Sequence, residues 1–125
     1  MNKKSILLSG TVLAGLAVAL GAIGSHALKE LLTQAGRMET FETAVRYQLY
    51  HGLALLITGL LSDQRNNSLK WVGLMFFWGT VLFSGSLYAL SLTSIHWVVY
   101  VTPMGGALML GGWALLLYRL VKMKQ

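Results

Sequence analysis

From Trp71 to Tyr118 the chain carries no Asp, Glu, Lys or Arg. A run of that length cannot supply the charged face that a water-facing helix needs. A helix that crosses the hydrocarbon core of a bilayer takes about 20 largely apolar residues, so the run is long enough for two crossings. Thr93-Ser94-Ile95-His96 is its only polar break and marks the turn between them. An earlier uncharged run, Ser5 to Leu28, would extend about 36 Å as a helix at 1.5 Å per residue. Another candidate reaches from about Thr43 to Leu61, but its charge-free part begins only at Tyr47. Arg46 must therefore lie near an interface and extend its head outward. The pattern predicts an all-α fold: a single four-helix transmembrane bundle with spans near 5–28, 43–61, 70–92 and 97–121. Pro103 falls close to the start of the last span, where its missing N–H costs least.

Composition agrees. Hydrophobic residues make up 55% of the chain and charged ones 11%, against about 25% charged in a soluble domain. The formal net charge of +6 does not point to nucleic acid, because the basic residues are scattered between apolar runs and form no face. With no Cys, thiolate catalysis, disulfides and cysteine-held clusters are excluded. A signal peptide ending at Ser25-His26-Ala27 is disfavoured, because the uncharged stretch before it exceeds the 7–15-residue apolar region such peptides use.

Orientation follows from Lys and Arg in the short connecting segments. With the N-terminus inside, the inner segments hold Lys3, Lys4, Arg65, Lys70, Arg119, Lys122 and Lys124, and the outer ones Lys29, Arg37 and Arg46. That balance places both termini in the cytoplasm and the protein in the plasma membrane. The outer loop from Lys29 to Glu42 sets Leu31, Leu32, Ala35, Met38 and Phe41 at helical spacing on one side. It reads as a short amphipathic segment on the outer surface, broken at Gly36.

Small residues recur at four-residue spacing: Gly10 and Ala14; Ala17, Gly21 and Ser25; Thr80 and Ser84; Gly85 and Ala89. In lipid such spacing lets helix backbones approach closely. Gly21, Gly24, Gly85, Gly105 and Gly106 are the expected packing glycines, within one subunit or across a homo-oligomer face. Apart from Ser9 and Thr58, minor exceptions in the inner half, the informative polar residues inside the spans are His26, Arg46, Tyr47, Gln48, Tyr50, His51, Ser84, Ser86, Tyr88 and Thr102. Under this topology they all fall in the outer half of the membrane. Glu42 can neutralise Arg46 one turn away. His51 needs a partner in lipid, and Ser84, Ser86 or Tyr88 on the facing helix would serve. A small polar cavity open to the outside is the sharper reading of His51. A metal or haem site shared with His26 has little support, since no His-x-x-x-His pair exists and the nearest acid is Glu42. No cofactor or metal is expected.

Catalytic patterns are absent. No acid lies within a span to pair with another, and Phe83-Ser84-Gly85-Ser86 lacks the Gly-x-Ser-x-Gly of a nucleophile elbow. Gly105-Gly106 lacks the Lys and strand context of a phosphate loop. The stretches Gly21-Ala22-Ile23-Gly24-Ser25-His26-Ala27-Leu28, Ala44-Val45-Arg46-Tyr47-Gln48-Leu49-Tyr50-His51, Phe83-Ser84-Gly85-Ser86-Leu87-Tyr88 and Thr102-Pro103-Met104-Gly105-Gly106 stand in that order along the chain. In these the chain resembles the family called domain of unknown function 423, with eukaryotic relatives called transmembrane protein 256. Ser25 and Gly52 depart from the Ala more often found there. The resemblance implies a short four-helix membrane protein with no established activity. The reading is therefore a non-enzymatic scaffold or binding module in the lipid bilayer. Its candidate partners are a second copy of itself or a lipid-like or small polar ligand, not nucleic acid. A small transporter or channel component is the alternative, and an enzyme comes third.

Overall fold

The computed structural model describes residues 1–63 and 68–124; Arg65, counted above among the inner basic residues, lies outside them. The fold is all-α: α1 (Lys3–Ser25), α2 (Lys29–Gln34), α3 (Met38–Leu61), α4 (Lys70–Leu92), a 3-10 turn (Trp97–Tyr100) and α5 (Thr102–Val121). Three segments are long and apolar enough to cross a membrane: Lys3–Ser25, Lys70–Leu92 and Trp97–Val121. The 24 residues of α3 include Glu39, Glu42, Arg46, Gln48 and His51, which make it the most polar of the long helices.

Local chemistry sets the ends. The Asn2 side chain accepts the Ser5 N–H at 2.9 Å, and Ser5 Oγ accepts the Asn2 N–H at 2.9 Å. This reciprocal pair satisfies two donors that helix geometry leaves orphaned. At the other end α1 stops at Ser25, three residues before the expected limit. The chain turns at His26 (φ −120°, ψ −76°), and the Leu28 N–H closes on Ile23 O at 3.0 Å. Gly36 then takes a left-handed conformation (φ +68°), which residues with a Cβ seldom adopt. It separates α2 from α3. The stretch from Lys29 to Glu42 is thus divided, and its second half, Met38 to Glu42, is the first turn of α3. Phe41 and Ala44, 1% and 0% exposed, are the reason: burying them against α1 and α4 draws the helix back beyond Thr43. The last helix shifts the other way. Trp97–Tyr100 forms a 3-10 turn around the buried Val98, and α5 begins at Thr102 with Pro103 in its first turn.

Each long helix packs mainly on the next, α1 on α3, α3 on α4 and α4 on α5, so α1 and α5 form the two ends of the series. Glycines let two of these pairs approach closely. A Cβ at Gly52 would lie 2.8 Å from the Ala14 N, and one at Gly105 would meet the Phe83 backbone N and lie 2.8 Å from Gly79 O. Around the N-terminal end of α1, the core is apolar: Ile6, Ala54, Leu55, Leu69, Val72, Phe76 and Leu116. Leu110 (72% exposed), Val18 (65%) and Leu60 (69%) point away from it, as residues facing acyl chains would.

Candidate functional site

Ala44, Gln48 and His51 recur at i, i+4 and i+7 on the inward face of α3 and are all buried, so whatever polar atoms they carry must find partners inside the protein. Ala44 contributes its carbonyl, which accepts the Ser84 hydroxyl of α4 at 2.8 Å. Gln48 accepts the Tyr88 hydroxyl on Oε1 at 2.6 Å and donates from Nε2 to the Leu13 carbonyl of α1 at 2.8 Å. One side chain thereby ties three helices. Between α4 and α5, Ser86 Oγ donates to Phe83 O at 2.8 Å, which leaves the Thr102 hydroxyl to donate the 2.5 Å bond between the two side chains. Among the described residues no buried side-chain polar atom lacks a partner.

His51 lies deeper. Because α3 starts at Met38, His51 stands about 20 Å along the helix at 1.5 Å per residue, just past the helix midpoint. Its partners differ from those expected. Ser84 is engaged with Ala44 and Tyr88 with Gln48, so neither serves His51. Instead the Trp113 indole of α5 lies with Nε1 3.0 Å from His51 Nε2, and His51 Nδ1 is 2.9 Å from the Tyr47 carbonyl. An indole nitrogen only donates and a carbonyl only accepts. The ring is therefore held as the neutral tautomer protonated at Nδ1, with both nitrogens occupied. Phe76 meets the imidazole edge-on at 5.6 Å and the Trp113 ring at 4.8 Å, while Tyr47 stacks over the imidazole at 6.2 Å. To ligate a metal or haem iron, His51 would have to give up one of these bonds. Among the described residues no group of three or more His, Cys, Asp or Glu could hold a metal ion.

Trp113 and Phe76 are the site residues that sequence reasoning missed. The signal for Trp113 was its position, in the middle of the last apolar run and far from the interfaces where membrane tryptophans usually lie. An indole N–H at that depth must have an acceptor.

These aromatics border a groove of about 290 Å³ lined by Tyr47, His51, Phe83, Gly106, Leu110 and Trp113, with Met109 beneath. The Tyr47 hydroxyl has no protein partner among the described residues. His26 and Arg46 do not join the interior set. His26 lies on the surface beside Lys29, Glu30, Thr33 and Gln34. Arg46 donates from Nη2 to Thr43 Oγ1 at 3.2 Å and, among the described residues, forms no ion pair with Glu42. Of the packing glycines, Gly24 abuts the Phe41 ring, Gly21 approaches Val45, and Gly105 lies against the α4 backbone. Gly106 borders the groove, whereas Gly85 faces open space.

The fold and site define a small, all-helical membrane protein whose inner polar groups are spent on joining its helices. The family model described as Protein of unknown function (DUF423) matches residues 20–106, and the chain belongs to that family. It is 42% identical to a UPF0382 membrane protein of Staphylococcus saprophyticus, over 90% of this chain and 93% of that one. With a UPF0382 membrane protein of Staphylococcus epidermidis it shares 40% identity over 95% of this chain and 97% of the relative. With the UPF0382 inner membrane protein YgdD of Escherichia coli it shares 35%, over the whole of this chain and 95% of the relative. No solved structure matches the chain.

Proposed function

We propose that the chain is a four-span plasma-membrane binding module, with both termini in the cytoplasm, that holds a lipid-like molecule in the groove between α3 and α5. The observation that carries this reading is the groove itself: an aromatic and aliphatic trough lined in part by Tyr47, whose hydroxyl has no partner among the described residues. Ligand sites are largely apolar with a few placed polar groups, and this one is near the lower end of the usual range of about 300–1,000 Å³. On this reading α3 is the fourth span despite its charges. It packs between α1 and α4, which shelter its polar face, and its charged residues are confined to its first nine positions, Met38 to Arg46. His51 and Trp113 shape the trough by fixing each other.

A transport path is the weaker reading. It would have to continue through the half of the protein filled by Ile6, Leu55, Val72 and Phe76, each 0% exposed. Self-association fits the open surface at Gly15 and Gly85, where an added Cβ meets nothing within 4 Å.

Native mass spectrometry from mild detergent tests the binding reading. The intact protein should carry an extra mass of lipid size. A Cβ at Gly106 would lie 3.8 Å from Phe83, an ordinary contact, so Gly106→Leu fills the trough without forcing the helices apart. That variant should lose the extra mass while keeping the wild-type assembly. A wild-type protein without bound mass, or a Gly106→Leu variant that retains it, would overturn the proposal.

A further inference from the structure

A second cleft, of about 280 Å³, lies between the C-terminal end of α1 and the N-terminal part of α3, where Gly21 and Gly24 face Phe41, Glu42, Val45 and Arg46. It is separate from the α3–α5 groove. Two glycines on α1 keep its floor low. A side chain at Gly24 would strike the Phe41 ring, and a Cβ at Gly21 would already be 3.3 Å from Val45. Its walls carry one anion and one cation. The two residues are a single helical turn apart, a spacing at which Glu and Arg ordinarily pair. Here they do not pair: Arg46 turns to Thr43, and the Glu42 carboxylate has no hydrogen-bond or ionic partner among the described residues. Both charges are exposed to the cleft's surroundings.

We propose that this cleft binds the headgroup of a zwitterionic phospholipid, with the phosphate at Arg46 and the ammonium at Glu42. This rests on the reading of α3 as a span. The order of the charges supports it. Four residues of helix separate them by about 6 Å along the axis, with Glu42 nearer the helix end and Arg46 deeper. A phospholipid in either leaflet presents its charges in the same order, ammonium toward water and phosphate toward the acyl chains. The match therefore holds whichever side of the membrane this end of α3 faces. The guanidinium suits phosphate because its planar fork can donate two parallel bonds to phosphate oxygens. Beside Arg46, Val45 and the glycine floor make the rest of the cleft's lining apolar. An anionic lipid without an ammonium would set its own negative charge near Glu42 with nothing to offset it.

The test is competitive lipid binding, read by native mass spectrometry on the full-length protein in nanodiscs of mixed phosphatidylethanolamine and phosphatidylglycerol. The wild type should retain phosphatidylethanolamine over phosphatidylglycerol by about fivefold, the scale of an exposed charge pair. Glu42→Gln keeps the shape of the cleft and should bring that preference to about even, while total lipid retention is kept. Arg46→Gln should reduce retention of both lipids. Gly106→Leu, which fills the other groove, should leave the preference unchanged, so loss of the α3–α5 ligand and loss of headgroup selectivity are read separately. Equal retention of the two lipids by the wild type, or a preference that survives Glu42→Gln, would overturn the assignment.

Discussion

Replacing Trp113 by Phe isolates the bond at the centre of the protein. The indole donates to His51 Nε2 at 3.0 Å, and among the described residues Nε2 has no other hydrogen-bond partner. Trp113 is 45% exposed, so truncation opens no closed cavity, and a phenyl ring can keep the contact with Phe76. The cost should therefore be mainly that of the interhelical bond, about 0.6–1.7 kcal/mol in a membrane interior, or a factor of roughly 3 to 20 in the unfolding equilibrium. His51→Leu should cost at least as much, because it strands the indole N–H and removes the ring between Tyr47 and Phe76. The double variant strands neither partner. Its destabilisation should fall short of the sum of the two by about 0.6–1.7 kcal/mol. Unfolding by denaturing detergent in mixed micelles, followed by far-ultraviolet circular dichroism, gives all four corners of this cycle. A coupling below about 0.3 kcal/mol, within the additivity error for unconnected sites, would refute the argument that these two residues hold α3 to α5.

Three further outcomes test the rest. Gly105→Ala drives a methyl into the α4 backbone at Phe83 and Gly79, which cannot rotate aside; it should destabilise by about 1–3 kcal/mol, while Gly85→Ala in the same assay should stay within about 0.5 kcal/mol. Gln48→Leu removes the bonds to both Leu13 and Tyr88 and should cost about 1–3 kcal/mol, with hydrogen exchange accelerated in α1 and α4 together rather than in α3 alone. Because the chain has no Cys, single cysteines report topology directly. Gln34→Cys should react with an impermeant maleimide from outside, and Asn2→Cys and Met123→Cys only after permeabilisation; the reverse pattern would invert the proposed orientation.

The limits of α4 can be read from the sequence, because Lys70 begins it and the polar Thr93–His96 turn follows. Those of α3 and α5 cannot, since they depend on tertiary contacts. Nothing local in Met38 to Glu42 favours extending a span over two glutamates. The chain is helical there because Phe41 and Ala44 pack against other helices, and burial outweighs the local pattern. Val98 acts similarly at the start of the last segment, holding a 3-10 turn where the hydropathy pattern suggests continuous α-helix. The polar residues themselves stand out by type, because few such groups occur in an apolar chain. Their pairing does not. Spacing along α3 sets Gln48 and His51 on one face, but which of Ser84, Tyr88 and Trp113 each one meets depends on how α4 and α5 are rotated and shifted.

That pairing changes where a function should be sought. Gln48 and Ser84 donate to the carbonyls of Leu13 and Ala44, and a helical carbonyl has a second lone pair that can take such a bond without losing its own. The polar set therefore ties neighbouring helices together at no cost to their ladders. It also uses up its own capacity: Gln48, Ser84, Ser86, Tyr88 and both nitrogens of His51 are occupied. An interior so fully paired shapes the protein and offers little to a ligand. The polar groups left for recognition stand outside it: among the described residues the Tyr47 hydroxyl at the α3–α5 groove and the Glu42 carboxylate beside α1 have no partner, and Arg46 is held by Thr43 alone. All three lie on the first three turns of α3, the least apolar stretch of any long helix here. The polarity that makes α3 the most expensive helix to place in a membrane is thus also what equips it to meet something there.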